Sequence, residues 1–138
     1  MSKLAVIYWS GTGNTEAMAR AVAEGAKAAG AEVDLLTCAE VGTIDGYDAV
    51  ALGCPAMGSE ELEDGEFLPM LEGIEPALPG KKAALFGSYG WGDGEWMRSW
   101  EARCAEKSIS LAAESVLANE APDDAAIAAC RALGAALI

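Results

Sequence analysis

Short apolar runs alternate along the chain with longer segments in which apolar residues recur every three or four positions. The run at residues 4–9 contains β-branched and aromatic members, which is typical of a strand buried on both faces of a parallel sheet. Residues 16–29 favour a helix, because Met18 and Val22 lie one turn apart and the segment is rich in alanine. The pattern therefore begins with a buried strand followed by an amphipathic helix.

The same alternation predicts four more strands and three more helices. The predicted strands cover residues 33–37, 48–54, 82–87 and 110–118. The predicted helices cover residues 67–74, 93 or 94 to 107, and 122–138. Strands that alternate with helices are joined by right-handed crossovers. We therefore predict an α/β fold, a doubly wound five-stranded parallel sheet with helices on both faces, in a single domain over residues 1–138.

The charge balance narrows the possible partners. The 138 residues include 9 Lys and Arg against 22 Asp and Glu, so the net charge is −13 at pH 7. Nucleic-acid binding needs a basic face and anionic membranes repel an acidic one, so we expect neither partner. A protein partner with a basic face is favoured. Because the chain has no His, it cannot use a His general base, a Ser-His-Asp triad or a His-ligated metal.

The four cysteines lack the spacing of a metal site or a redox-exchange motif. Cys38, Cys54, Cys104 and Cys130 form no C-x-x-C pair. The longest apolar runs are also too short for a signal peptide or a membrane span. We therefore expect a reduced, cytoplasmic protein.

The loop at residues 10–15 follows the first predicted strand and precedes the first helix. Its sequence is Ser-Gly-Thr-Gly-Asn-Thr, in which two glycines allow a tight turn and three hydroxyl groups can donate hydrogen bonds. The helix amino terminus adds partial positive charge, so the loop can cradle a phosphate. No Lys or Arg lies between Lys3 and Arg20, which suits a phosphate that serves as a permanent handle. The alternative is a plain capped turn.

Two further loops follow the third and fourth predicted strands. In residues 53–61 the apolar Met57 lies between small residues, either as core filler or as one wall of a slot for a flat ligand. In residues 87–94 four glycines surround Tyr89 and Trp91. An indole held by glycines favours a stacking platform, and the alternative is that Trp91 folds back onto the core. All three loops follow strands, which is where parallel sheets bind ligands.

Together, the three loops resemble those of the flavodoxins of short-chain type. The matching segments are residues 8–16, 53–61 and 87–93, and the predicted order of elements matches over essentially the whole chain. The resemblance implies a flavodoxin-like fold with one non-covalently bound FMN. It implies a low-potential one-electron carrier, not an enzyme, that cycles through a neutral semiquinone. Its partners would be ferredoxin-type donors and acceptors with basic docking faces, and the carrier would be a monomer.

The resemblance also implies which residues contact the cofactor. The first loop would hold the 5′-phosphate, while Trp91 and Met57 would flank the isoalloxazine ring. Glu60 would accept a hydrogen bond from N3–H, and the peptide after Gly58 would reorient on reduction. Backbone groups near Gly90 would face the N1/O2 edge. The expected cofactor-binding residues are Ser10, Gly11, Thr12, Gly13, Asn14, Thr15, Ala56, Met57, Gly58, Ser59, Glu60, Ser88, Tyr89, Gly90, Trp91, Gly92 and Asn119.

Two other functions fit parts of the pattern. An FMN-dependent quinone or azo reductase needs a pocket for a second substrate, whereas Trp91 and Met57 would occupy both ring faces. A non-redox phosphate-binding receiver domain needs an Asp at the end of the third strand, where Cys54 and Pro55 stand. The five acids within residues 60–66 are either a solvated loop or, beside a flavin, charges that lower its potential and attract basic partners.

Overall fold

The computed structural model describes residues 2–58 and 60–138, and its strands and helices alternate as the sequence predicts. The strands are β1 (Lys3–Tyr8), β2 (Glu32–Thr37), β3 (Ala49–Gly53), β4 (Lys82–Tyr89) and β5 (Val116–Asn119). The helices are α1 (Asn14–Ala28), α2 (Phe67–Ile74), α3 (Glu95–Glu106) and α4 (Asp124–Ala136). Two short 3-10 turns cover Cys38–Glu40 and Glu75–Ala77.

The five strands form one sheet in which all neighbours are parallel, in the order β2-β1-β3-β4-β5. The predicted α/β fold with a doubly wound parallel sheet is therefore confirmed. After β1 the chain adds β2 on one side and then returns to add β3 on the other side. A crevice opens at such a reversal of strand order, at the carboxyl ends of β1 and β3. This crevice lies next to the loops that the sequence singles out.

Separate hydrophobic cores cover the two faces of the sheet. The core beneath α1 and α4 is rich in alanine. The core beneath α2 and α3 contains large side chains, including Phe67, Trp96 and Trp100. The rings of Phe67 and Trp100 meet edge to face with their centroids 5.5 Å apart. Small residues thus allow close helix packing on one face, while aromatic residues fill the wider space on the other.

The backbones of α1 and α4 approach each other directly. A Cβ atom at Gly25 would overlap the carbonyl oxygen of Arg131, and one at Gly134 would overlap that of Val22. Glycine is the residue that permits such an approach, because it has no Cβ. The two glycines, one on each helix, therefore set the distance between α1 and α4.

A buried ion pair attaches α3 to the turn that follows α2. Glu75 is only 5% exposed, and its carboxylate accepts hydrogen bonds of 2.6 and 2.8 Å from Arg103. Lys107 lies 3.7 Å from the same carboxylate. The hydrogen bond to Glu75 raises the pKa of the Arg103 guanidinium. Two parallel hydrogen bonds are the geometry that best compensates the desolvation of a buried charge pair.

Burial keeps the four thiols protonated at neutral pH. All four cysteines are buried and free. Burial raises the pKa of Cys54 and of Cys130 to about 12, and that of Cys104 to about 11. The pKa of Cys38 is also raised by burial. Protonated thiols are poor nucleophiles, so the geometry favours structural roles for these residues.

The fifth strand is shorter than predicted, and this part of the prediction is wrong. Of the expected residues 110–118, only the last three lie in β5. Leu111 makes an isolated bridge to β4. The Ser115 hydroxyl donates a hydrogen bond of 2.7 Å to the carboxylate of Glu101 on α3. The chain therefore touches β4 at residues 111 and 112, leaves it at Ser115 and pairs with it again from Val116.

Local geometry displaces the predicted starts of α4 and α1. α4 begins one residue after Asp123, whose carboxylate accepts a hydrogen bond of 2.8 Å from the Ala126 N–H. α1 begins at Asn14, two residues earlier than predicted, directly after Gly13 with a φ of 95°. The positive φ of Gly13 sets the direction in which the first loop enters α1.

We expect Gly134→Ala to lower the free energy of unfolding by about 1–3 kcal/mol, because the methyl group must push α4 away from α1. Gly73→Ala is the matched control, since Gly73 lies in α2 and a Cβ there meets nothing within 4 Å. The control should raise the free energy of unfolding by about 0.5–1 kcal/mol, because alanine loses less entropy in a helix. Urea unfolding followed by circular dichroism measures both. Shifts of the same sign and size would contradict the close approach of the helices.

Candidate functional site

A cleft opens where β1, β3 and β4 end, at the reversal of strand order. Its volume is about 290 Å³. All three loops singled out in the sequence contribute to its walls, together with one residue that follows β5. The lining residues are Trp9, Gly11, Thr12, Asn14, Pro55, Ala56, Met57, Ser88, Tyr89, Gly90 and Glu120.

The first loop is held in shape by its own hydroxyl groups. Ser10 Oγ accepts hydrogen bonds from the N–H groups of Gly13 at 3.1 Å and Glu16 at 3.3 Å. Thr15 is buried, and its hydroxyl lies 3.1 Å from that of Ser88 on β4. Ser10 thus caps the turn, as the alternative of a plain capped turn predicts. The side chain of Thr12 and the amino-terminal end of α1 remain available to a ligand.

The second loop is a tight turn closed by two backbone hydrogen bonds. Met57 and Glu61 exchange N–H···O bonds of 2.8 and 2.9 Å. Within the turn, φ is 50° at Gly58 and 55° at Glu60. Ser59, an expected contact, lies outside the described residues. The Met57 side chain is 37% exposed beside the cleft, which favours a wall over core filler.

The carboxylate of Glu60 is the least satisfied polar group of the site. It lies against Gly92 of the third loop, so closely that a Cβ atom at Gly92 would overlap it. Its Oε1 is buried and has no hydrogen-bond partner among residues 2–58 and 60–138. A buried oxygen without a donor is costly, so the pocket lacks one N–H group that a ligand can supply. The ring N3–H expected opposite Glu60 is such a donor, and the residues present therefore fit a flavin.

The third loop presents a large aromatic surface to solvent. Trp91 is 70% exposed, so it does not fold back onto the core. Tyr89 packs on Trp96 with a centroid distance of 5.5 Å. The indole N–H of Trp96 donates to the carbonyl of Cys54 at 3.1 Å. The base of the third loop is thereby fastened to the end of β3, while Trp91 is left accessible beside the cleft.

The acid Glu63 holds the turn of the second loop against α2. Its carboxylate accepts hydrogen bonds from the N–H groups of Gly65, Glu66 and Phe67 at 2.7–2.8 Å. Its own N–H lies 3.4 Å from the Cys54 sulfur. Burial acts to raise the pKa of Glu63, but the three backbone N–H donors outweigh burial and the pKa is lowered. The segment after the turn is therefore rigid and stays negatively charged at neutral pH.

Three lining residues, Trp9, Pro55 and Glu120, are absent from the expected set. Trp9 lines the cleft, and its indole N–H donates to Glu66 at 3.2 Å. Its position at the end of the first apolar run is the signal that could have identified it. Glu120 has a φ of 58° and donates its backbone N–H to the Tyr89 carbonyl at 2.7 Å. No sequence pattern marks Glu120, because its place depends on the pairing of β5 with β4.

Asn119 is not among the residues that line the cleft. It is exposed at the end of β5 and borders a neighbouring groove beside α4. Other expected residues that do not line the cleft are Ser10, Gly13, Thr15, Gly58, Glu60, Trp91 and Gly92. Of these, Glu60 and Gly92 lie against each other. The positive φ of Glu120 reverses the chain there and brings its side chain to the cleft in place of Asn119.

Negative charge surrounds the outer edge of the site. Asp93 and Glu95 flank the third loop and share Arg98, at 2.9 and 2.7 Å. Glu60 and Glu61 belong to the turn of the second loop. Because Asp93 and Glu95 share the single Arg98, this edge keeps a surplus of negative charge. The arrangement disfavours an anionic substrate and attracts basic proteins.

Comparison with known proteins agrees with this geometry. The model of the Flavodoxin family matches residues 6–134. A flavodoxin from Megasphaera elsdenii is 47% identical over 95% of this chain and 95% of its own length. A flavodoxin from Clostridium beijerinckii is 43% identical over 87% of this chain and 88% of its own. An NAD(P)H dehydrogenase (quinone) from Acidovorax ebreus is 35% identical over only 64% of this chain.

Solved structures show the same likeness. The solution structure of two-electron reduced Megasphaera elsdenii flavodoxin superposes with a TM-score of 0.88 at 45% identity, covering 97% of each chain. A flavodoxin from the domain Archaea gives a TM-score of 0.84 at 26% identity, covering 98% of this chain and 95% of that one. These matches favour a carrier over the reductase and over the receiver domain. The chain belongs to the flavodoxin family and is an FMN-binding electron carrier that works with redox protein partners, not an enzyme.

Proposed function

We propose that the FMN of this flavodoxin sits in the cleft at the ends of β1, β3 and β4. The observation that carries the assignment is that all three loops converge on this cleft at the reversal of strand order. Beside it, the buried Glu60 Oε1 lies against Gly92 and lacks a donor among the described residues. Bound FMN supplies the electron-accepting chemistry, and the residues of the cleft bind the cofactor, orient it and exclude water from it. The volume of about 290 Å³ holds part of the cofactor and leaves the rest accessible to a partner.

The first loop holds the phosphate without a positively charged side chain. Ser10 and Thr15 stabilise the loop, so that backbone N–H groups and the Thr12 hydroxyl are free to donate. The amino-terminal end of α1, at Asn14, adds partial positive charge. A neutral cradle suits a phosphate that anchors the cofactor and is not transferred.

The ring lies between Met57 and Trp91. Met57 lines the cleft from the second loop, and Trp91 is 70% exposed beside it. An aromatic and a thioether side chain both favour contact with a flat apolar ring. Glu60 accepts the ring N3–H, and backbone groups of Tyr89 and Gly90 face the opposite edge. Glu120, which follows β5, also lines the cleft.

The partners and the setting follow from the charge and the fold. We propose basic docking faces on ferredoxin-type donors and acceptors, since the net charge of −13 attracts them. The carrier acts as a monomer of one domain in the cytoplasm. Within the part of the chain that the structure describes, helices are too short or too polar to cross a membrane.

Substitution of Glu60 tests the proposed site most directly. We expect Glu60→Ala to weaken FMN binding to the apoprotein by about 1–3 kcal/mol, because the ring N–H loses its acceptor. The free energy of unfolding of the apoprotein should not fall, since the change removes a buried oxygen that has no donor. Calorimetric titration and urea unfolding measure the two effects.

The exposed acid Glu61 provides the control for Glu60, because Glu61→Ala makes the same change in charge in the same turn. It should leave FMN affinity within a factor of about two. Riboflavin should bind more weakly than FMN to the wild type. Glu60→Ala should lower the affinity for both ligands by the same factor, because both carry the same ring. Equal FMN affinity for the wild type and Glu60→Ala would contradict the proposed contact between Glu60 and the ring.

Trp91→Ala tests the ring platform. We expect FMN affinity to fall by about 1–3 kcal/mol, the usual contribution of an aromatic side chain stacked on a planar base. The apoprotein should melt at nearly the same temperature, because the indole is 70% exposed. Fluorescence titration and thermal unfolding measure the two quantities. A large drop in melting temperature with unchanged affinity would show that Trp91 supports the fold instead.

Gly58→Thr tests the turn of the second loop. A Cβ at Gly58 meets nothing within 4 Å, so only the φ of 50° opposes a side chain there. A β-branched residue at that φ costs about 1 kcal/mol or more. Because the peptide after Gly58 is expected to reorient on reduction, we expect the oxidised state to leave this positive φ. The cost then falls on the reduced states and makes the first midpoint potential more negative. About 1.4 kcal/mol corresponds to 59 mV for one electron.

Gly58→Asn is the matched control, because asparagine tolerates positive φ more readily than threonine. It should shift the first potential less than Gly58→Thr does. A spectroscopic redox titration measures both potentials, and a binding titration gives the affinity for oxidised FMN. If Gly58→Thr weakened binding in every redox state alike and left the potentials unshifted, Gly58 would only provide space.

A further inference from the structure

A second, larger groove lies beside the flavin cleft, between the second loop and the outer face of α3. We call it the α3 groove, and its volume is about 860 Å³. One wall is formed by Glu60, Glu61, Leu62, Asp64 and Leu68. The other wall is a single row on α3, made of Glu95, Ser99, Ala102 and Glu106. At 1.5 Å per residue this row is about 16 Å long.

The floor of the α3 groove is apolar. Leu62 and Leu68 are half-buried there and offer apolar surface to solvent. Trp96 and Trp100 close the floor from below and are only 1% and 2% exposed. Ser99 and Ala102 are small, so the middle of the α3 wall leaves the floor accessible to a side chain from outside.

The walls of the α3 groove carry a surplus of negative charge. The acidic lining residues are Glu60, Glu61, Asp64, Glu95 and Glu106. The basic lining residue Arg103 does not neutralise them, because its guanidinium makes two hydrogen bonds to the buried Glu75. Within residues 2–58 and 60–138, no Lys or Arg lies within salt-bridge distance of Asp64 or Glu106.

We infer that the α3 groove is the docking site for a basic, amphipathic segment of a redox partner protein. Lysines or arginines of the segment pair with the acids on both walls, at Asp64 on one side and Glu106 on the other. An aliphatic side chain between them contacts the floor at Leu62 and Leu68. Charge complementarity accelerates the encounter, and burial of the apolar side chain lengthens the life of the complex.

The position of the groove connects docking with electron transfer. Glu60 lines the α3 groove and lies against Gly92 of the third loop, and the second and third loops both line the flavin cleft, so the groove and the cleft are neighbours. A segment seated in the groove therefore lies next to the proposed flavin, and neither Trp91 nor the first loop is among the residues that line the groove. The inference rests on the proposed function, because it names the face through which the same flavin is reached.

Two variants of α3 test the groove with the FMN-loaded protein. Ala102→Arg places a bulky cation inside the groove. Ala105→Arg is the matched control, since it makes the same substitution on an exposed part of the same helix that does not line the groove. The probe is a synthetic amphipathic peptide with lysines on one face and leucines on the other. Binding is measured by calorimetric titration at low and at moderate salt.

We expect Ala102→Arg to weaken peptide binding about tenfold, whereas Ala105→Arg changes it less than about twofold. A double variant that removes two charges of the groove, Asp64→Asn with Glu106→Gln, should also weaken peptide binding. Its effect should exceed that of Glu32→Gln with Glu114→Gln, which removes equal charge outside the groove. Equal effects within each pair would overturn the inference, because net charge alone would then explain the attraction. Absence of peptide binding to the wild type would overturn it as well.

The flavin absorption spectrum and FMN affinity of each variant separate this inference from the proposed function. Asp64 and Ala102 lie outside the flavin cleft, so FMN should bind to these variants as it does to the wild type. A variant that loses peptide binding but keeps normal FMN affinity is informative about the α3 groove alone. Failure of the wild type to bind FMN in the cleft would contradict the proposed function, whatever the peptide does.

Discussion

The pairing of β1 with β2 on one side and β3 on the other is the constraint on which the site depends. It forces the chain to reverse the direction in which it builds the sheet. Parallel strands end at the same edge, so the loops after β1, β3 and β4 converge there. Because β1 and β3 are buried in the centre of the sheet, these loops start from fixed points. The cleft is therefore a consequence of strand order before any side chain is considered.

The two cores support the site in different ways. On one face, glycine and alanine allow α1 and α4 to pack closely, which fixes the amino-terminal end of α1 under the first loop. On the other face, aromatic residues anchor α3, and Trp96 fastens the third loop to Cys54 at the end of β3. Glu63 secures the segment after the turn of the second loop. Short turns and exposed side chains between these anchored elements are thus left for contact with a cofactor and a partner.

Electrostatics connects cofactor binding with partner choice. The first loop, where we propose that the phosphate binds, has no charged side chain, whereas the turn of the second loop and the α3 groove are acidic. One unit charge repels another about 12 Å away by roughly 0.7 kcal/mol at an effective dielectric constant of about 40. Several carboxylates at such distances oppose the addition of electrons to a nearby flavin, which lowers its potential. The same charges attract basic proteins, so a single set of acids serves both the low potential and the encounter.

The sequence by itself determined the fold class, the order of the elements and the three loops. These features depend on local periodicity and on glycine and hydroxyl residues that are adjacent in the chain. Only the tertiary structure decided the length of β5, the place of Glu120 in the cleft and the accessibility of Trp91. It also brought Glu60 against Gly92 and Arg103 to Glu75. Such contacts join residues far apart in sequence, so they depend on strand order and helix packing, which no local pattern specifies.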